Sequence, residues 1–139
     1  MAGQRRKARE IALQFLYQLE QTGASDPGPF EAEFWARHPV ADDAREFAAG
    51  LVHGAKRHQA DIDKRIAQTA EHWDLERMAV VDRNILRLAV YELLFEPGVP
   101  GKVTINEAIE IAKKFGTAES SRFINGVLDR IHKELRPAS

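Results

Sequence analysis

Val80-Val81-Asp82-Arg83-Asn84-Ile85-Leu86-Arg87-Leu88-Ala89-Val90-Tyr91-Glu92-Leu93-Leu94-Phe95 is the stretch that decides the fold. Its apolar residues fall around much of a helical circumference, with Arg83 and Arg87 on one side. A helix with one apolar stripe lies on a surface, whereas one that is apolar nearly all round must be covered by several neighbours. Pro97, Gly98 and Pro100 end it because such residues punctuate helices. The chain therefore has a central helix, and its other segments have to supply the cover.

Downstream, Thr104 with Glu107 has capping-box spacing. It is expected to open a helix whose stripe is Ile105, Ala108, Ile109, Ala112 and Phe115, closed by Gly116. A last helix follows Ser120 or Ser121 with the stripe Ile124, Val127, Leu128, Ile131 and Leu135, and Pro137 ends it. Upstream, Glu71 to Asp74 interrupts the pattern and places Trp73, an expected core residue, at a junction between two helical halves, about 1–72 and 73–139. The first half opens with a helix whose stripe is Ile11, Ala12, Phe15, Leu16 and Leu19, ending near Gly23. Thr22 to Pro29 is a loop, and Phe30, Phe34 and Trp35 suggest a short helix stopped by His38 and Pro39. Asp43 with Glu46 resembles a second capping box, ahead of the stripe Ala44, Phe47, Ala48, Leu51, Val52 and Ala55. The more polar continuation through Asp61, Ile62 and Ile66 reads as a separate helix. No segment alternates with the period of two that marks a half-buried strand. The expected fold is all-α, a bundle of six to seven helices in two helical halves.

With 139 residues, 44% of them apolar and 29% charged, residues 1–139 fit a single domain able to bury a real core. No run approaches the eighteen or so apolar residues of a membrane span, and no secretory signal precedes the first helix. A cytoplasmic protein without membrane contact is expected. Cys is absent, which excludes disulfides, thiolate zinc sites and a thiol nucleophile. The formal net charge of −1 conceals segregation. Arg5, Arg6, Lys7 and Arg9 form a basic end, whereas Glu20 to Glu46 holds Glu20, Asp26, Glu31, Glu33, Asp42, Asp43 and Glu46 against Arg37 and Arg45. Such an end suits a local contact with a polyanion, although a solvated helix start explains it equally.

Enzymatic chemistry finds no support. His38, His53, His58, His72 and His132 lack the spacing of an HExxH zinc site, and neither a Gly-rich loop after a strand nor a GxSxG motif occurs. Asp61 and Asp63 point different ways on one helix, and Glu92, if buried, is expected to be satisfied by an arginine or a backbone amide. No catalytic residue, metal or cofactor is expected.

Two rings fall off the stripes. At 100° per residue Tyr17 lies opposite the first helix's core stripe, beside Arg6, Glu10 and Leu13, and Phe123 lies about 90° from the last helix's stripe, after Arg122 and beside Arg130. Exposed rings next to cations suit single-stranded nucleic acid, where bases stack at about 1–3 kcal/mol each and Arg or Lys neutralises phosphate. Packing on a neighbouring helix explains either ring as well, and a protein partner is a further reading of Tyr17.

Taken together, Ala8-Arg9-Glu10-Ile11-Ala12-Leu13-Gln14-Phe15-Leu16-Tyr17, then Asp82 with Ile85-Leu86-Arg87-Leu88-Ala89-Val90-Tyr91-Glu92-Leu93, Ile105-Asn106-Glu107-Ala108 with Ala112-Lys113 and Phe115-Gly116, and Arg122-Phe123-Ile124-Asn125-Gly126-Val127-Leu128-Asp129 resemble the NusB family of bacterial transcription antitermination factors. Thr22 to Val40 is the stretch least like it. The resemblance implies an all-α fold of two packed three-helix halves and binding to boxA-type single-stranded RNA, strengthened by the ribosomal protein NusE, within an antitermination complex on RNA polymerase that serves ribosomal RNA transcription. It assigns Arg5, Arg6, Lys7, Arg9, Arg122 and Phe123 to RNA, and Tyr17 and Asp82 to a surface shared by partner and RNA. It also places Glu119 where an acid limits RNA affinity. A homodimer that hides the RNA surface is left open. The NusB-like domain of ribosomal RNA cytosine methyltransferases is a related reading; those proteins carry a following catalytic domain, which a chain ending at Ser139 is expected to lack. A helical adaptor that binds only proteins is the alternative from another class, separable by salt dependence: four phosphate contacts on a single strand give a log–log slope of roughly −3. A helix-turn-helix finds no convincing candidate.

Overall fold

The computed structural model describes residues 2–70 and 74–135, so the expectations for His72, Trp73 and Pro137 lie outside the described residues. The described residues form seven α-helices and no strand: α1 (Ala2–Thr22), α2 (Glu31–Arg37), α3 (Asp42–Arg57), α4 (Gln59–Thr69), α5 (Val80–Phe95), α6 (Gly101–Phe115) and α7 (Ser120–Leu135). Single 3-10 turns at Gly28–Phe30 and Leu75–Arg77 precede α2 and α5.

Helix α5 is the axis of the bundle. It packs on α1, α3, α4, α6 and α7, and it buries Ile85, Leu86, Leu88, Ala89 and Val90 together with the polar Asn84 and Glu92. The stripe of α1 is buried as its spacing requires, and so are Ala44, Ala48, Leu51, Val52 and Ala55 of α3. The helix α1 ends in a Schellman motif: Gly23 takes φ +73°, its N–H donates to Glu20 O at 3.2 Å, and the Ala24 N–H donates to Leu19 O at 3.0 Å. Glycine tolerates that left-handed turn without steric cost. Gly54 of α3 serves closeness instead, since a Cβ there would lie 2.1 Å from the Tyr91 ring of α5. Phe34 of α2 stacks on Phe15 of α1 with centroids 4.2 Å apart, pinning the short helix to the bundle.

Both expected capping boxes are absent. Helix α3 starts at Asp42 after Ala41, and α6 starts at Gly101 after Pro100; neither start has a side-chain cap. Thr104 and Glu107 lie inside α6, buried, where Thr104 Oγ1 faces Glu92 at 3.5 Å and Glu107 receives Arg6. Polar groups from α1 and α5 thus engage the side chains that would have capped α6. Two stripe residues also leave the core: Phe115 is 36% and Leu135 37% exposed, each at the last residue of its helix.

Ion pairs tie the helices where apolar packing meets charge. Arg9 donates to both oxygens of Glu92 at 2.9 and 2.8 Å, with the Arg9 and Glu92 side chains 5% and 2% exposed. On the other side of α5, Arg83 and Arg87 both reach Glu20, and Arg87 also holds Asp63 of α4 at 2.8 and 3.0 Å. Burial alone would raise the Glu20 carboxyl, but the hydrogen bonds and charges of Arg83 and Arg87 hold it below its ordinary value.

Removing one partner of a buried pair strands the other charge in a low-dielectric interior, a loss of ~3–5 kcal/mol, whereas an exposed pair contributes about 0–1 kcal/mol. Arg9→Ala is therefore expected to lower unfolding stability by several kcal/mol, and Arg37→Ala, which breaks the solvated Glu33–Arg37 pair, by less than ~1 kcal/mol. Urea denaturation of the two variants checks the contrast.

Candidate nucleic-acid interface

The basic end of α1 divides into an outward and an inward set. Arg5 and Lys7 are exposed, with the Arg5 guanidinium 4.8 Å above the Phe47 ring. Arg6 is half-engaged: it donates to Glu107 at 3.0 and 2.6 Å while its side chain stays 43% exposed. Arg9 departs from its assignment to RNA. Only 4% exposed, it is held by Glu92 and lies 3.7 Å from Glu107, so a phosphate has no access to it. One further helical turn from the N-terminus carries this arginine under α5 and α6, where it is a structural cation.

The hydrogen bonds from Arg6, with the charges of Arg6 and Arg9, hold the Glu107 carboxyl below its ordinary value against burial. The same pairing raises Arg6 further. Lys114 of α6 meets Glu10 at 2.9 Å. Contacts 6–107 and 10–114 make α1 and α6 run the same way, so α6 covers the α1 face of Glu10 and Leu13, which are 8% and 5% exposed. That face is not free along its length, as its sequence position opposite the stripe suggested.

Only beyond the covered part does the surface open. Tyr17 is 48% exposed and lines a groove of about 520 Å³ with Phe115, Phe34, His38, Val81 and Asn84. One residue along α5 from Val81, Asp82 lines a second pocket of about 370 Å³ with Arg77, Met78, Ala79, Glu119, Arg122 and Phe123. Groove and pocket are therefore neighbours across the first turn of α5. The pocket gathers four residues that the sequence singled out from distant segments: Asp82, Glu119, Arg122 and Phe123. Phe123 is half-buried and packs on the core edge, so it does contribute to packing as well as forming a wall. Glu119 and Arg122 are exposed.

Sequence reasoning missed Arg77 and Phe115. Arg77 sits in an isolated 3-10 turn without periodicity, and Phe115 continues an apolar stripe that runs past the end of the core. Three acids of the front half, Glu31, Asp42 and Glu46, flank Trp35 together with Arg45 in a groove between α2 and α3. His38 stacks on Phe34 and His58 on Phe95, with centroids 4.1 and 4.0 Å apart, and His53 contacts Glu31. Among the described residues no three acids or histidines converge as a metal site, and no helix is long and apolar enough to cross a membrane.

The sequence profile of the NusB family matches residues 6–133. The transcription antitermination protein NusB of Desulfitobacterium hafniense is 51% identical over 128 residues, covering 91% of this chain and 86% of that protein. The solved structure of T. maritima NusB superposes with a TM-score of 0.86 at 44% identity, over 96% of this chain and 93% of that one. A crystal structure of antitermination factors NusB and NusE in complex with dsRNA contains a chain with a TM-score of 0.85 at 32% identity, over 96% and 99%.

A carboxyl held below its ordinary value of 4.5 contributes stability that is full above its unfolded pKa and is lost as pH falls through the folded one. For Glu107→Gln the stability difference from wild type is thus expected to be full at neutral pH and to shrink as pH drops below about 4.5. Thermal unfolding across an acid series measures it; a difference independent of pH contradicts the assignment.

Proposed function

This chain belongs to the NusB family, and from that premise we propose that it is a transcription antitermination factor that binds boxA-type single-stranded RNA together with NusE and supports ribosomal RNA transcription. It is a binding protein, not an enzyme, and its place is the cytoplasm, on an RNA polymerase antitermination complex. The observation that carries this reading is the pocket in which Arg122 and Phe123 of α7 meet Asp82 of α5. A ring beside a guanidinium offers one face to a base and one charge to a phosphate. Arg5 and Lys7 at the far end of α1 supply further sequence-independent attraction, and Arg6 joins them to the extent that Glu107 releases it. Residues 1–139 act as one RNA-binding unit in this reading.

The adjoining groove fits the partner. Tyr17 and Phe115 present apolar area with a polar rim of glutamines, the composition of a protein contact more than of a phosphate track. NusE on the groove and RNA in the pocket would then share the first turn of α5, which supports a partner that raises RNA affinity through a common edge. Self-association through the same groove would compete with NusE.

Fluorescence anisotropy with a boxA-like strand and a scrambled control, with and without NusE, tests the reading. Tight, sequence-dependent, NusE-enhanced binding that collapses in Phe123→Asp is expected. With Arg5, Lys7 and Arg122 as the available cations the log–log salt slope is roughly −2, shallower than four contacts would give because Arg9 is internal. Glu119→Gln should tighten binding several-fold. Salt-insensitive, equal binding of both strands, or none even with NusE, would leave a protein-only adaptor.

A further inference from the structure

Two arginines share one carboxylate where α1 meets α6. Glu107 accepts hydrogen bonds from Arg6 Nε at 3.0 Å and Arg6 Nη2 at 2.6 Å, while Arg9 Nη1 stands 3.7 Å from it. Arg9 in turn donates to both oxygens of Glu92. The four charges sum to zero, so Arg6 is a cation whose charge is already met inside the protein. Its side chain is nonetheless 43% exposed, against 5% for Arg9. A guanidinium on a solvated arm can turn away, and one enclosed in the core cannot. When Arg6 turns outward, Glu107 still has Arg9 within ion-pair distance, so its carboxylate is not stranded without a counter-charge.

Resting on the RNA-binding reading above, we infer that Glu107 is an autoinhibitory carboxylate, which occupies Arg6 in the free protein and competes with RNA phosphate for it. Carboxylate and phosphate are alike in this respect, since a guanidinium forks onto either with two parallel hydrogen bonds. Arg6 lies within one turn of α1 between Arg5 and Lys7, both exposed, so a strand drawn to those two passes beside it. A phosphate that approaches the pair as it stands meets a neutral cluster. One that takes Arg6 from Glu107 meets a full charge. The contact is therefore latent: wild type shows a strand the cations Arg5, Lys7 and Arg122, and Arg6 becomes the fourth only when its competitor is removed.

The opposite role is that Glu107 braces Arg6 and aims its remaining Nη1 edge at phosphate, and the two roles differ in sign. Anisotropy titrations of the boxA-like single strand over a potassium chloride series, without NusE, compare wild type, Arg6→Ala, Glu107→Gln, Arg6→Ala/Glu107→Gln and Glu107→Asp. Arg6→Ala alone is expected to change affinity by less than about twofold. Glu107→Gln should tighten binding roughly three- to fivefold and steepen the log–log slope from roughly −2 to roughly −3, the increment of one more phosphate contact on a single strand. The double variant should return to wild-type affinity and slope. Glu107→Asp draws the carboxylate back by one methylene at unchanged net charge and should also tighten binding; it carries the test where the glutamine variant melts below the assay temperature. A Glu107→Gln variant, or in its place Glu107→Asp, that binds no tighter than wild type would overturn the inference while leaving RNA binding intact. So would a gain that survives in the double variant, which removal of a negative charge alone explains. Failure of wild type and every variant to bind the strand at any salt would remove the underlying functional reading, and this one with it.

Discussion

The pair Arg9–Glu92 is the contact on which the rest of the structure depends. It joins the helix that carries the basic end to the helix on which all the long helices pack, and it does so inside the core, where both charges are desolvated. A desolvated pair stands only when its geometry is good and its remaining hydrogen-bonding capacity is met. Here the guanidinium takes both oxygens of Glu92, and Thr104 and Glu107 of α6 close the remaining sides. The cluster therefore fixes α1, α5 and α6 relative to one another in one step.

That alignment determines where function sits. Because α6 lies along α1, the α1 face of Glu10 and Leu13 is sealed, and the surface reopens from Gln14 to Tyr17. There the first turn of α5 brings Val81 into the groove and Asp82 into the pocket with Phe123. Cations at one end of α1 and an aromatic pocket at the start of α5 thus belong to one rigid frame. Glu31, Asp42 and Glu46 of α2 and α3, with Arg45 among them, line a groove of their own around Trp35.

The central helix was legible because an apolar circumference has few interpretations, and α5 spans the residues its pattern marked. The family was legible for a different reason: its motifs lie in several segments in a fixed order. Capping was not legible at α6, since Thr104-x-x-Glu107 has the spacing of a box and only the approach of α1 and α5 reveals that both side chains are engaged elsewhere. Arg9 was misassigned for the same reason. Four basic residues in a row of five look alike in sequence, and their division into surface and interior is set by which turn of α1 passes beneath α5. Of the candidate site, the residues on α5 and α7 could be named in advance, but Arg77 and Phe115 could not, because an isolated turn and the end of a stripe carry no distinguishing periodicity.

The account's central claim is that residues from both ends of the chain form one RNA surface. Amide chemical-shift mapping by NMR, titrating a boxA-like single strand into the isotope-labelled protein, tests it most directly. The account predicts shifts at Arg5, Lys7, Asp82, Arg122 and Phe123 that saturate together, with the α2–α3 face around Trp35 and Glu46 unmoved. Shifts confined to the basic end, or centred on the acidic groove, would contradict it.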